Sequence, residues 1–463
     1  MKTVNGGIKL LLSFAMTCAM ASVARAQTFT VLYSFTGGTD GGGVGSGVVM
    51  DKQGNLYGTT TGGGAYGYGT VFELSPNSDG TWSETVLHSF KNGDPDGQEP
   101  DANLILDAAG NLYGTTQGGA LFGVTGYGGT GLCLLLGSKA GCGTVYELIP
   151  PATSGGAWTE TVIYNFLGTN DGYFPTGELV SDKQGNLYGA TYFGGGLGQC
   201  DQGIYLHCGM VFELSPPSAE GGAWTEKVLY SFTNGPNGAQ PNGSPVFDTK
   251  GSLYGTTQYG GTLGCTSTSG KGCGIVFKLT PPATKGGAWS ESVIHSFSTR
   301  TSDGASPFAG VIFDKLGNLY GTTYAGGNAW PAHAGAVYEL SPPRLSGEPW
   351  IETLLCSFGF GRTGANPTAG LTFDGQGNLY GTTGADGEYG AGTTFRLGLP
   401  STMGGKWTLD ILHAFQRDPD AASPSGTLVF GRGGSIFGVA GGGGSGEACG
   451  IGIGCGAIYE IAP

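Results

Sequence analysis

The residues best able to do chemistry are few and scattered: ten cysteines, five histidines and 34 acids in 463 residues. Eight cysteines fall as close pairs, Cys133/Cys142, Cys200/Cys208, Cys265/Cys273 and Cys449/Cys455, and the second of each directly precedes a glycine. That recurrence predicts four local disulfides, each worth ~2–3 kcal/mol on the chain-entropy account. Zinc is the rival reading, but no pair has C-x-x-C spacing and only His207 lies nearby. Of the remaining two, Cys18 falls within residues 1–26, and Cys356 is left over and is expected as an inert buried thiol.

Three further sets could bind or convert something. Asp94-Pro-Asp96-Gly97 followed by Glu99 and Asp101 is loosely similar to a calcium loop. Calcium is the one ion this suggests, and no other cofactor is expected. Glu178 stands where related positions carry Gly47, Asn103, Ser244, Gly310, Gly370 and Thr427. One carboxylate with Asn103 nearby could hold a metal or, in an enzyme, move a proton. Loop aromatics, Tyr66, Tyr127, Tyr259 and Tyr389 among them, could stack on sugar rings or could fill their own loops. Trp330, stiffened by Pro331 and close to His333, is the one tryptophan outside the repeat described next. His88, His295 and His413 share a register with Tyr33, Tyr164, Tyr230 and Cys356, so they read as structural. No Ser-His-Asp set can be assembled.

These residues sit on a repeat. G-N-L-Y-G-T-T or a close relative begins at Gly54, Gly110, Gly185, Gly251, Gly317, Gly377 and Gly434. Each copy has an apolar stretch ending in Asp, then this motif, then G-x-V-F-E-L, then W-x-E-x-V-L-x-S-F. Short, β-branched and aromatic, bounded by Gly, Pro and Asp, the four pieces read as strands A to D. Asp51, Asp107, Asp182, Asp248, Asp314 and Asp374 would start the A–B hairpin turns. Glu84, Glu160, Glu226, Glu291 and Glu352 fall on the outer D strands and are expected to keep them soluble.

Four antiparallel strands repeated seven times predict an all-β, seven-bladed β-propeller. Five residues before the strand-A Asp stand Ser46, Ala102, Gly177, Gly243, Ala309, Ala369 and Gly426, all small, as crowding at a hub requires. Thr28–Phe35 matches a D piece, and Gly456–Ile461 is a C piece with no D after it. The N-terminal strand should therefore close the last blade and remove an exposed edge.

The repeat closely resembles the GloVer tandem repeat of secreted bacterial proteins, over essentially all of residues 27–463. The resemblance implies an extracellular propeller-like region and no established activity. Relatives typically carry varied C-terminal surface anchors; none is expected here, where the chain stops at Pro463. The D-x-x-G-N-L-Y turn is also similar to that of NHL and lactonase-type propellers, which supports an innermost strand A.

Residues 1–26 read as a secretory signal peptide: Lys2 and Lys9, the apolar run Leu10–Val23, and Ala24-Arg25-Ala26 as cleavage site. Cleavage after Ala26 takes the net charge from −14 to −17 by removing two lysines and an arginine. A chain this acidic is a poor partner for nucleic acid. Glycine is 95 of 463 residues, which disfavours long helices. No second apolar run approaches membrane length.

Two function classes follow. One is a secreted, monomeric, non-catalytic binding or scaffold protein for a glycan or protein partner. The other is an extracellular propeller enzyme acting on a polysaccharide or lactone. On either reading, the ligand face is the one carrying the B–C and D–A loops, centred on Trp330 and His333 or on the axis at Glu178 and Asn103.

Overall fold

The computed structural model describes residues 19–20, 27–91, 96–117, 133–135, 138–196 without 154 and 169, 208–261 without 220, 265, 272–298 without 285, 303–328, 334–417 without 346 and 403, 420–444, 449 and 454–463. The fold is a ring of seven antiparallel four-stranded blades, as the repeat predicts. Blade 1 shows the pattern: strand A Val49–Met50, B Leu56–Thr60, C Thr70–Pro76 and D Trp82–Ser89; from strand A to strand D, blades 2 to 6 span residues 105–165, 173–231, 246–296, 312–357 and 372–414. Blade 7 takes A, B and C from Ala421–Phe430, Ile436–Gly443 and Ala457–Ala462, and D from Thr28–Ser34 at the other chain end. Thr28 pairs with Ala462 and Ser34 with Ala457, so the expected closure is present. Ala19–Met20 adds a short parallel pairing to Thr408 and Leu409 of blade 6 strand D. No helix among the described residues is long and apolar enough to cross a membrane.

The motif residues explain themselves in this frame. Asp51 Oδ1 accepts backbone N–H bonds from Gln53, Gly54 and Asn55 at 2.8–2.9 Å, which fixes the A–B turn. The glycine in L-Y-G-T-T faces the aromatic ring of strand C: a Cβ on Gly58 would lie 2.6 Å from Phe72. That aromatic also receives the D-strand phenylalanine of the preceding blade. Phe35–Phe72, Phe90–Tyr146, Phe166–Phe212, Phe232–Phe277, Phe297–Tyr338, Phe358–Phe395 and Phe415–Tyr459 run once round the ring at 5.0–5.3 Å. Every blade boundary is thus sealed by one buried aromatic pair, an arrangement worth ~0.5–1.5 kcal/mol beyond area burial. The repeat tryptophans reinforce the boundary, as where Trp158 of blade 2 meets Tyr57 of blade 1 at 6.1 Å.

The disulfides Cys133–Cys142, Cys265–Cys273 and Cys449–Cys455 form as predicted. Cys208 is also disulfide-bonded, and Cys200 lies outside the described residues. The backbone carbonyl of each pair's second member accepts from a D–A loop of the next blade, as Cys142 does from Phe174 at 2.9 Å and Cys273 from Ser306 at 2.8 Å. The bridges therefore hold the B–C loops where blades meet. The expectation of a free Cys356 is corrected: it is buried and disulfide-bonded, with its partner outside the described residues. Its place among Tyr and His positions had suggested packing alone.

The acids of the D–A loops and D strands also have places of their own in the ring. The D-strand Tyr or His hydrogen-bonds a D–A residue seven or eight positions on: Tyr33 to Asp40, His88 to Asp96, Tyr164 to Asp171, Tyr230 to Asn237, His295 to Asp303 and His413 to Asp420, all at 2.9–3.3 Å. These D–A acids belong to the repeat. The D-strand glutamates are not solubilising groups: Glu84, Glu160, Glu226, Glu291 and Glu352 are each half-buried, with one carboxyl oxygen fully buried and unpartnered.

Candidate functional site

The small residues before strand A converge on the axis. A Cβ on Gly243 would come within 2.3 Å of the Gly310 backbone nitrogen, so the hub requires glycine there. Inside this collar is an axial cavity of about 340 Å³ lined mainly by backbone and small side chains. Its two carboxyl groups, Asp101 and Glu178, and the Asn103 amide stand on blades 2 and 3, where the repeat is broken; Asn242, Ser244, Thr368 and Thr427 add polar groups from blades 4, 6 and 7. Gly47 N–H of blade 1 donates to Asn103 Oδ1 of blade 2. Asn103 Nδ2 donates to Glu178 Oε2 of blade 3 at 3.4 Å, and Glu178 N–H donates to Ser244 Oγ of blade 4 at 2.8 Å. Four blades are thus linked by one polar chain. Burial pushes the Glu178 carboxyl up to about 7, against the lowering effect of the Asn103 amide.

Asp101 lies at the mouth of the cavity. It is open to the lumen yet walled by protein, which pushes its carboxyl up to about 6; the Gln117 amide, 3.0 Å away, acts in the opposite sense. Asp101 also lines a second hollow of about 460 Å³ on the loop face, shared by blades 5 to 7. The axial cavity and this rim cleft have Gly45, Asp101 and Thr368 in common, so they adjoin at these residues. In the cleft, the Tyr324 ring is 37% exposed and braced by Phe308 at 5.0 Å. Asn366 binds the Tyr324 carbonyl at 3.0 Å through Nδ2, and Ser425 Oγ is buried without a partner. Gly384 and Gly441, equivalent to Tyr324 in their own blades, leave the floor open.

The rim has a further regularity. Glu99, Phe174, Gln240, Ser306, Asn366 and Ser423 each precede a proline and each hold a left-handed φ of 53–63°, with Gly43 in the seventh place. A non-glycine residue there costs ~1–3 kcal/mol. The proline explains why it persists: its ring packs on the glycine that opens strand C of the preceding blade, so a Cβ on Gly335 would lie 2.6 Å from Pro367 Cδ.

Of the sequence candidates, Glu178 and Asn103 are brought together on the axis. Asp96 and Asp101 face different neighbours, His88 and Gln117, and no group of three cation ligands among the described residues includes Asp101. Tyr259 accepts from Gln258 Nε2 at 3.1 Å, and Gln258 accepts from Tyr192 at 2.6 Å, in a rim network. Tyr66 and Tyr389 are exposed on B–C loops and line neither hollow. Trp330, His333, Tyr127 and Asp94 lie outside the described residues. Asn366 and Ser425 escaped the sequence reading; they flank D–A prolines, Asn366 before Pro367 and Ser425 after Pro424, and that was the available signal.

Comparison with known proteins bears on the repeat first. The family model described as the Gloeobacter/Verrucomicrobia repeat matches residues 18–132 and 262–463. The chain belongs to this family. No curated protein matches this repeat protein in sequence. Solved structures similar to it include the PQQ-bound aldose sugar dehydrogenase of Streptomyces coelicolor, at 12% identity and TM-score 0.40, covering 94% of this chain and 98% of that one. A gluconolactonase of Xanthomonas campestris is 12% identical with TM-score 0.38, covering 97% of both chains.

Proposed function

We propose that this repeat protein is an exported, non-catalytic binding propeller whose recess, from Glu178 on the axis to Tyr324 at the rim, takes a glycan. The observation that carries the reading is that the two hollows adjoin at Asp101, which lines both. A braced aromatic ring beside Asn366, Ser425 and Asp101 offers a flat apolar face with hydrogen-bonding groups around it, which is what a pyranose presents in return. Export accords with the disulfides of the B–C loops; loss of residues 1–26 would remove the pairing of Ala19–Met20 with blade 6. Binding of wild type to an oligosaccharide array, with Tyr324→Ala losing at least tenfold in affinity at unchanged melting temperature, is the expected result. Wild type silent on the array but retained by a protein partner would replace glycan with protein; Tyr324→Ala binding like wild type would move the site elsewhere.

One observation favours a second reading. A carboxyl raised to about 7 inside a cavity is suited to moving a proton at neutral pH. Under that reading Glu178 acts as a general acid or base on a polysaccharide or lactone. Turnover by wild type and none by Glu178→Gln would establish it.

A further inference from the structure

Each D-strand glutamate points its unpartnered carboxyl oxygen at the blade boundary, where the preceding blade presents its Tyr–Asp, Tyr–Asn or His–Asp pair. The glutamate sits two residues after the D-strand tryptophan, so the boundaries can be compared one by one. Where the first member is tyrosine, at Tyr33, Tyr164 and Tyr230, the group contains a phenol hydrogen-bonded to its Asp or Asn. A phenol at neutral pH is a donor and a poor ligand. At three boundaries the phenol is replaced by imidazole, and two of the three keep the glutamate. His88, Asp96 and Glu160, and again His295, Asp303 and Glu352, each bring one nitrogen and two carboxylate oxygens within 4.8 Å of one another.

We infer that these two blade boundaries are divalent-metal sites of the zinc class, with His88, Asp96 and Glu160 holding one ion and His295, Asp303 and Glu352 the other.

The chemistry of the donors supports this. A neutral imidazole with two carboxylates carries two negative charges, which a divalent ion balances. One nitrogen among oxygens favours zinc and its first-row neighbours over calcium or magnesium. His88 Nε2 and Asp96 Oδ1 are 3.3 Å apart, and His295 Nε2 and Asp303 Oδ1 3.2 Å. Ligands of one small ion stand about this far apart, given metal–ligand bonds of ~2.0–2.2 Å. Glu160, with one unpartnered oxygen, and Glu352, whose carboxyl already meets Asp303 and the Gly304 N–H, would complete three protein ligands each, leaving a coordination position for water. Asp96 and Asp303 are already oriented by the backbone N–H groups of Gly97 and Gly304. Such outer contacts are what hold a metal-binding carboxylate in place.

The ring contains its own control. His413 pairs with Asp420 at 2.9 Å just as the other two histidines pair with their acids. There the glutamate position is Phe29, which stacks on the imidazole at 3.6 Å. That boundary has two ligands and a hydrophobic cover, and binds no ion on this account. At the blade 5–6 boundary Cys356 faces a position held by Leu409, with no carboxylate.

The test is a titration of chelator-treated, full-length protein with Zn²⁺. Two saturable equivalents per chain are expected for wild type and for His413→Tyr. His88→Tyr and His295→Tyr should each retain one, and the double variant none. Tyrosine is already used at this place in three boundaries, so folding should survive; equal melting temperatures in chelator check it. Glu160→Gln and Glu352→Gln, which preserve shape, should each weaken one site at least tenfold. Absence of saturable binding, or a stoichiometry unchanged in both the histidine double variant and the glutamine variants, would overturn the assignment and leave the histidines as substitutes for tyrosine.

Discussion

The Asn103 amide donates to the Glu178 carboxylate across the boundary between blades 2 and 3, at 3.4 Å, while its carbonyl oxygen accepts from Gly47 of blade 1. One side chain thus joins three blades at their narrowest point. Truncating it strands a backbone donor and removes the one side-chain hydrogen bond that favours the ionised glutamate. Asn103→Ala should cost ~1–3 kcal/mol, read as a lower urea midpoint. A midpoint equal to wild type would mean that backbone packing alone holds the hub.

Closure of the ring gives a second expectation. Removing Thr28–Ser34 exposes the edge of Ala457–Ala462, which pairs with nothing else on that side. Exposed edges recruit other chains. The truncated protein should melt far below wild type and elute as aggregates in size-exclusion chromatography; a monodisperse product with unchanged melting would contradict this.

The third expectation concerns pH. Glu84, Glu226 and Glu291 are pushed up to about 7 from 4.5, first by burial, with Asp40 and Asp171 adding to the effect on Glu84 and Glu226. A carboxyl whose folded value is raised binds its proton more tightly when folded. Its contribution is therefore complete below about 4.5 and is lost as pH rises through about 7. In chelator, the melting temperature should fall between pH 5 and pH 8. Glu226→Gln, neutral throughout, should show a shallower fall; a flat or rising profile for wild type would refute the assignment.

Much of this molecule was legible because repetition makes errors visible. Seven copies of one motif announce seven blades, and the out-of-phase ends at Thr28–Phe35 and Gly456–Ile461 announce the closure. Glu178 and Asn103 stood out because neighbouring copies carry glycine, serine or threonine there. What stayed hidden were relations between copies. The Tyr/His–Asp pair escaped because both members vary and their spacing shifts between seven and eight residues. The D-strand glutamates alternate with exposed residues and so looked solvated, when the surface they face belongs to another blade. Asp101 was read with its sequence neighbour Asp96, although the turn between them sends one to a boundary and the other to the axis.

The left-handed residues before the D–A prolines have a consequence for how such a protein changes. Their backbone shape goes with the packing of the proline on the glycine beneath it, and side chains as unlike as Glu99, Phe174, Gln240 and Asn366 all adopt it. The scaffold therefore accepts varied side chains at these positions, each at a similar backbone strain. A lineage could rewrite the rim one residue at a time, acquiring new specificities, without ever renegotiating the fold.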